Sequence, residues 1–264
     1  MVVDFNNLCS AKCTIMNTIF GGCTSIDTLK IAWVDTSSIT SVSDMFGGCR
    51  GLVSLDLGNI DTCNVTEMVH MLGDCHNIIS LDFSRLNTSK VKDMSFMFAD
   101  CYSLKELDIH TFDTSAVTDM SAMFQKCKEL ERIDVSGFDT HNVTTMKRMF
   151  QSCNKITELD LSSFNTSKVT DMGHMFRSCY SITELNLSNF DTSAVSSMEY
   201  MFCACLNLER LDISSFKLRS DVDTLYMFAQ CNRLREVKLP KDEHSRKRVL
   251  DQLDRNTKQR LNFG

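Results

Sequence analysis

The chain has 264 residues, enough for one large domain or two small ones. Apolar residues make up 43% and the formal net charge is −6. That balance supports a packed core and argues against disorder and non-specific nucleic-acid binding; one proline and ten glycines exclude collagen-like and proline-rich classes.

The chain opens inside a repeat. Val3-Asp4-Phe5 matches Leu81-Asp82-Phe83, so neither an N-terminal cap nor a signal peptide is expected. A sheet edge at residues 3–5 would suit end-to-end pairing of copies. From there the cysteines keep time. Cys23, Cys49, Cys75, Cys101, Cys127, Cys153, Cys179, Cys205 and Cys231 stand 26 residues apart, with Cys9, Cys13, Cys63 and Cys203 off the beat.

Each period carries two patterns. Leu107-Asp108-Ile109 alternates apolar, polar, apolar, which predicts a short strand with one buried face. This slot recurs ten times, beginning at Val3, Leu29, Leu55, Leu81, Leu107, Ile133, Leu159, Leu185, Leu211 and Val237. Phe112-Asp-Thr-Ser then predicts a tight turn held by side-chain to backbone hydrogen bonds. Met120, Met123, Phe124 and Cys127 fall at i, i+3, i+4 and i+7, which predicts a two-turn helix. Thr118, Thr144, Thr170 and Ser196 occupy its N-cap slot.

No single repeat can bury its apolar face, but stacked repeats share one core. The expected architecture is an α/β repeat: a solenoid of about ten 26-residue coils, each a short parallel β-strand plus a short helix. Helices about 10 Å across need more room than strands about 4.8 Å apart, so the stack should curve with its strands on the concave face. The period breaks where Lys217-Leu218-Arg219-Ser220 replaces the usual turn, and it stops after Pro240. Residues 1–240 are thus expected to form the solenoid. Residues 241–264 form a basic tail, net +3 from seven Lys/Arg and four Asp/Glu, with Val249, Leu250 and Leu253 as the stripe of a capping helix. No apolar run approaches the roughly 20 residues needed to cross a bilayer.

No group of residues announces catalysis. The six histidines scatter over different slots, and His76 follows a cysteine expected to be buried. The periodic cysteines read as buried thiols, since helix-spaced equivalents about 9–10 Å apart lie beyond disulfide reach. Cys9 with Cys13, or Cys203 with another surface thiol, could oxidise. Neither an enzyme nor a cofactor or metal site is expected. Five Asn-x-Ser/Thr triplets, at Asn64, Asn87, Asn142, Asn165 and Asn186, follow from the repeat itself.

The strand slot is the candidate for binding. Asp56, Asp82, Asp108, Asp134, Asp160 and Asp212 share one position, with Asn186 in the same place. Carboxylates on adjacent coils would repel by roughly 1 kcal/mol per pair in water. Three readings stay open: local hydrogen bonds to serines such as Ser136, Ser162 and Ser214 offset this, the row is an acidic stripe for a basic partner, or it takes a cation. The slot before each Asp varies, as in Glu106, Arg132, Glu158, Glu184 and Arg210. The candidate partner-binding residues are therefore Asp82, Glu106, Asp108, Arg132, Asp134, Glu158, Asp160, Glu184, Arg210 and Asp212.

Cys101-x2-Leu104-x2-Leu107-x-Ile109-x2-Phe112 resembles a leucine-rich repeat, with Phe where Asn or Cys usually sits. With the stretch Phe112 to Cys127, the chain is similar to BspA-like leucine-rich repeats over roughly residues 3–240. Leu72 for Phe, Lys30 and Lys238 for Asp, and residues 217–224 are its departures. These repeats occur in bacterial surface proteins, mycoplasma lipoproteins and some parasitic protists. The resemblance implies a non-catalytic module that binds a protein, such as a host or neighbouring-cell surface protein, in adhesion at a cell surface or after secretion. Two rivals stand beside it: a structural spacer, and a cytoplasmic interaction or effector protein, which the abundant thiols favour.

Overall fold

The computed structural model describes residues 2–3, 14–31, 36–58 and 60–261. Its strands are short and fall on the expected slots: β1 Val2–Val3, β2 Thr28–Ile31, β3 Ser54–Asp56, β4 Glu106–Leu107, β5 Arg132–Ile133, β6 Glu184–Asn186, β7 Arg210–Asp212 and β8 Glu236–Lys238. Two helices close the chain, α1 Glu243–Gln252 and α2 Arg255–Arg260. The strands form three parallel sheets, β1-β2-β3, β4-β5 and β6-β7-β8, and the described pairs, such as Leu29 with Leu55 and Leu185 with Leu211, stay in register one repeat apart. At the Leu81 slot only a single bridge forms, Asp82 to Asp108, and the Leu159 slot holds no strand. Nothing in the side chains around Leu159 explains that gap. The solenoid and its parallel strands thus stand as expected.

The helix of each repeat does not form. Among the described residues α1 and α2 are the only helices, and Met120 to Cys127 is a run of tight turns. Met123 N donates to Met120 O at 3.3 Å and Cys127 N to Phe124 O at 3.2 Å, closing two turns in succession. The third residue of each turn, Ala122 at φ 53° and Lys126 at φ 58°, is left-handed. Two four-residue turns in series send Met120, Met123, Phe124 and Cys127 to the same side as two turns of helix would. The apolar spacing therefore cannot tell them apart. The hydrogen bonds can. Met120, Ala122, Phe124 and Lys126 donate not to residues four back but to Thr145, Lys147, Met149 and Gln151 of the next coil, at 2.7–3.2 Å.

This side of the coil is a second parallel ladder. Its bridges run from Ile15–Ser41 through Asp93–Asp119 to Ser197–Asp223, each step spanning one repeat. The residues expected as N-caps serve it instead. Thr144 Oγ1 donates to Thr118 O at 3.0 Å, Thr170 to Thr144 O at 3.1 Å and Ser196 to Thr170 O at 3.0 Å. With backbone ladders on both sides, both repeat at about 4.8 Å, and the width mismatch expected to bend the stack is absent. The strand side owes no concavity to that cause.

The interior is one apolar cluster from Met16 to Leu261. Phe98, Phe124, Phe150, Phe176, Phe202 and Phe228 stack along it, with ring centroids 5.5–5.9 Å apart and planes within 16°. Buried threonines carry the turn between the two ladders. Thr140 Oγ1 donates to Asn165 O at 3.0 Å and accepts from Asn165 N at 2.7 Å, and Thr62, Thr88, Thr114 and Thr192 bridge their coils in the same way. In the turns at Asp61, Asn87, Asp113, Asp139, Asn165 and Asp191 that side chain accepts from the backbone two residues on, as Asp113 does from Ser115 N at 3.0 Å.

The periodic cysteines also belong to the coil-to-coil bonding. Cys127 Sγ donates to Phe98 O at 3.2 Å, and Cys49, Cys75, Cys101, Cys153, Cys179, Cys205 and Cys231 repeat this contact at 3.0–3.2 Å. The 9–10 Å spacing expected from helices is wrong, because there are no helices between these residues. Each thiol is instead committed to a carbonyl 29 residues back, on the preceding coil. All described cysteines are free thiols; Cys9 and Cys13 lie outside the described residues. Burial pushes the Cys179 and Cys231 thiols up to about 12.

At the C-terminal end Asp242 caps α1 by accepting from Ser245 N, and Asp254 caps α2. Val249, Leu253 and Leu261 join the core cluster, and Leu250 packs against it. Ser245 Oγ accepts from Leu218 N at 2.7 Å, and Arg248 donates to the carbonyls of Ser220 and Val222. These contacts hold α1 to the segment where the repeat breaks.

Two predictions follow from the ladders. Thr140→Val keeps the shape but leaves both backbone groups of Asn165 without their partner. It should cost about 1–3 kcal/mol in chemical denaturation, clearly more than Thr140→Ser, which keeps the hydroxyl. Ser178 holds φ 60° in a slot that Gly22 and Gly48 fill in the first coils. Ser178→Gly should raise stability by about 0.5–1 kcal/mol, read as a higher melting temperature.

Candidate partner-binding face

On the strand side each coil points two side chains outward around one apolar residue, buried in most coils and half-buried at Leu55 and Leu159, as Glu106 and Asp108 flank Leu107. Asp82, Glu106, Asp108, Arg132, Asp134, Glu158, Asp160 and Glu184 are exposed; Arg210 and Asp212 are half-buried. The face therefore brings all ten candidate residues onto one surface. A shallow groove of about 380 Å³ crosses it between Glu106–Asp108 and Arg132–Asp134, with Lys105 and Glu131 at its rim.

The aspartates are held from within their own coils. Ser136 donates through its hydroxyl and its amide to Asp134 Oδ1 at 2.6 and 2.9 Å, and Ser214 does the same to Asp212 at 2.7 and 3.1 Å. The amides of Ser84 and Ser162 bond Asp82 and Asp160. Asp108 takes the His110 ring at 2.5 Å, and Asn186 takes Ser188 N at 3.1 Å. Each carboxyl group sits below the usual range for this reason: chiefly the Ser84 amide at Asp82, the His110 ring at Asp108, and the serine hydroxyls at Asp134 and Asp160. At Asp212 partial burial opposes the shift, and Ser214 and Lys238 outweigh it. Local hydrogen bonds thus offset the repulsion along the row, and the charges are retained at neutral pH.

Ion pairs divide the face. Arg210 meets Glu184 at 2.8 Å, Lys238 meets Asp212 at 3.1 Å, and Lys30 meets Asp56 at 2.8 Å. Between these flanks Asp82, Glu106, Arg132, Asp134, Glu158 and Asp160 make no ion pair among the described residues. The middle of the face keeps its charge free, while both ends neutralise themselves.

The histidines are placed by the coil register. Cys75 and His76 do not form a reactive pair: the thiol donates to Phe46 O at 3.2 Å, and the ring faces Asp74 and stacks on Tyr102 at 4.4 Å. The histidines are less scattered than their slots suggest. His70 lies 2.6 Å from Asp44, one coil away. Pairing across one repeat is legible only once the register is known. No described group of three or more His, Cys, Asp or Glu could hold a metal ion. No described helix is long and apolar enough to cross a membrane.

The family described as "Mycoplasma protein of unknown function, DUF285" matches residues 14–132, 97–185 and 154–244. The chain belongs to that family. The DUF285 assignment and the observed coils bear out the resemblance to BspA-like leucine-rich repeats. No curated protein matches the chain. Among solved structures, the chain is similar to a leucine-rich repeat protein from Bacteroides ovatus at 13% identity, covering 100% of this chain and 91% of that one, with a TM-score of 0.37. The T. pallidum leucine-rich repeat protein is similar at 15% identity, with 96% and 84% coverage and a TM-score of 0.32. A leucine-rich cell surface protein from Faecalibacterium prausnitzii is similar at 15% identity, with 96% and 86% coverage and a TM-score of 0.33.

The hydroxyl of Ser136 is the largest cause of the lowered Asp134 value. A carboxyl-carbon NMR titration should place Asp134 below 3.8, so its bonds persist above that pH and are lost as pH falls through the lowered midpoint. Ser136→Ala should move the midpoint back toward 3.8, while Asp160 stays where it was.

Proposed function

We propose that this DUF285 solenoid is a non-catalytic recognition module whose strand face binds a protein partner, and that it works at a cell surface. The supporting observation is the division of charge. Asp82, Asp134 and Asp160, with Glu106, Arg132 and Glu158, stand exposed and without ion pairs on a hydrogen-bonded frame, whereas Glu184–Arg210 and Asp212–Lys238 are closed on themselves. Unpaired charges steer a complementary partner, and Asp82, Asp134 and Asp160, held by Ser84, Ser136 and Ser162, need little further ordering on binding. The partner is a protein with a net basic contact surface. Residues 1–240 act as the binding body and residues 241–264 as its C-terminal cap. Edge-to-edge pairing through β1 is a further mode for copies of this chain.

The test is capture from cell-surface and matrix extracts, using the wild type beside Asp108→Asn, Asp134→Asn, Asp160→Asn. Asn186 already occupies this slot, so the triple variant should keep the fold, as circular dichroism would verify. A protein retained by the wild type and lost by the variant, with affinity that falls as salt rises, is the expected result. Equal retention by both would remove the strand face from the reading. No specific capture would favour a spacer that projects other domains.

A further inference from the structure

His174 is the buried histidine of this chain among the described residues, and its side chain is 9% exposed. It sits on the turn side, away from the strand face, in the left-handed slot at φ 60°. Two coils touch its ring, and a third sets charges beside it. From its own coil, Arg177 Nη1 lies 3.3 Å from Nδ1, and Asp171 lies three residues before it in sequence. From the next coil, Glu199 Oε1 lies 3.3 Å from Nε2, and the Tyr200 ring stacks on the imidazole at 4.9 Å and 7°. From the preceding coil, Lys147 reaches Asp171 at 3.2 Å and Glu199 at 3.7 Å, and Arg148 adds a second positive charge. Arg177 also lies over Tyr200, 5.1 Å from its centroid.

Partner chemistry fixes the ring's protonation. A guanidinium only donates, so Nδ1 accepts from Arg177. A carboxylate only accepts, so the neutral ring keeps its proton on Nε2, which faces Glu199 Oε1 at 3.3 Å. The uncharged ring satisfies both neighbours at once. A proton on Nδ1 would remove the acceptor for Arg177 and set a third positive charge beside Arg177 and Arg148. Burial, chiefly, holds the ring below the ordinary imidazole value; Glu199 opposes, and Arg148 and Arg177 add to burial. The folded chain therefore binds fewer protons than the unfolded chain at mildly acid pH. The stability this site contributes is present above pH 6.5 and is lost as pH falls toward and through the lowered folded value.

We propose that the His174 cluster is an acid-sensitive latch: the neutral ring ties its own coil to the next, and protonation releases residues 171–203 into local opening. The opening is local because each coil touches only its neighbours. The His70 and His141 sites differ, since their rings face carboxylates at 2.6 and 2.7 Å and are far more exposed.

The test is hydrogen–deuterium exchange of the full chain at pH 7.5 and pH 5.5, corrected for intrinsic rates. Protection over residues 171–203 should fall several-fold, up to about tenfold, on acidification. Residues 86–117 should keep theirs. His174→Gln should abolish the pH difference, whatever its overall stability. An unchanged protection at residues 171–203, or a pH difference that survives in His174→Gln, would overturn the latch. Should the variant not fold, an NMR titration of His174 in the wild type decides: a midpoint below 6.5 supports the latch, and one at or above 6.5 overturns it.

Discussion

The structure depends on where the amides of the second ladder point. In a helix Met120, Ala122, Phe124 and Lys126 would bond within their own segment, and each repeat would be a separate unit laid beside the next. Here they bond to the next coil. That choice makes neighbouring coils inseparable and sets their rise at about 4.8 Å. Most other contacts inherit this rise. Phenylalanine rings stack because their coils are one ladder step apart. A threonine hydroxyl can accept an amide and donate to a carbonyl of one residue, because that residue is always the next coil's turn. A thiol finds a carbonyl 29 residues back for the same reason.

The ladder also explains the backbone conformation. Two turns in series bring every second amide to the coil edge, and each turn requires a left-handed residue. Sixteen described non-glycine residues accept that conformation, from Thr18 to Gln230, at slots that repeat coil after coil. Each costs on the order of 1 kcal/mol relative to glycine. Hydrogen bonds to both neighbours and a fully buried row of Met and Phe offset it. Such an array is quasi-one-dimensional, so a weakened coil loosens its neighbours first and the far end last.

How much of this was legible follows from the same geometry. The period, the inward residues and the strand slots could be read from the sequence, because spacing alone decides which side chains share a face. Leu107, Ile109, Phe112 and Cys127 are buried as their positions require. The helix was misread because Met120, Met123, Phe124 and Cys127 satisfy both structures; hydrogen-bond direction leaves no trace in apolar spacing. The strand carboxylates and their serines were legible because they lie two residues apart. The partners of His70 and His174 were not. Their carboxylate partners lie across coils, at separations of 26 and 25 residues, and choosing among them needs the register first.

That register also governs the candidate face. Side chains in one slot on successive coils are direct neighbours, so opposite signs there allow an ion pair and like signs forbid one; Glu106 and Arg132 are in register and still stand apart. Glu184 before Arg210, and Asp212 before Lys238, cancel. Asp134 before Asp160 cannot, and each carboxylate instead turns to a serine in its own coil. An apolar residue stands between the outward pair in every case, Ile133, Leu159, Leu185, Leu211 or Val237. Surface charge along the strands can therefore change coil by coil without disturbing the interior. A scaffold with that separation suits recognition: the core and the two ladders fix where each charge stands, and the two outward residues per coil choose what it meets.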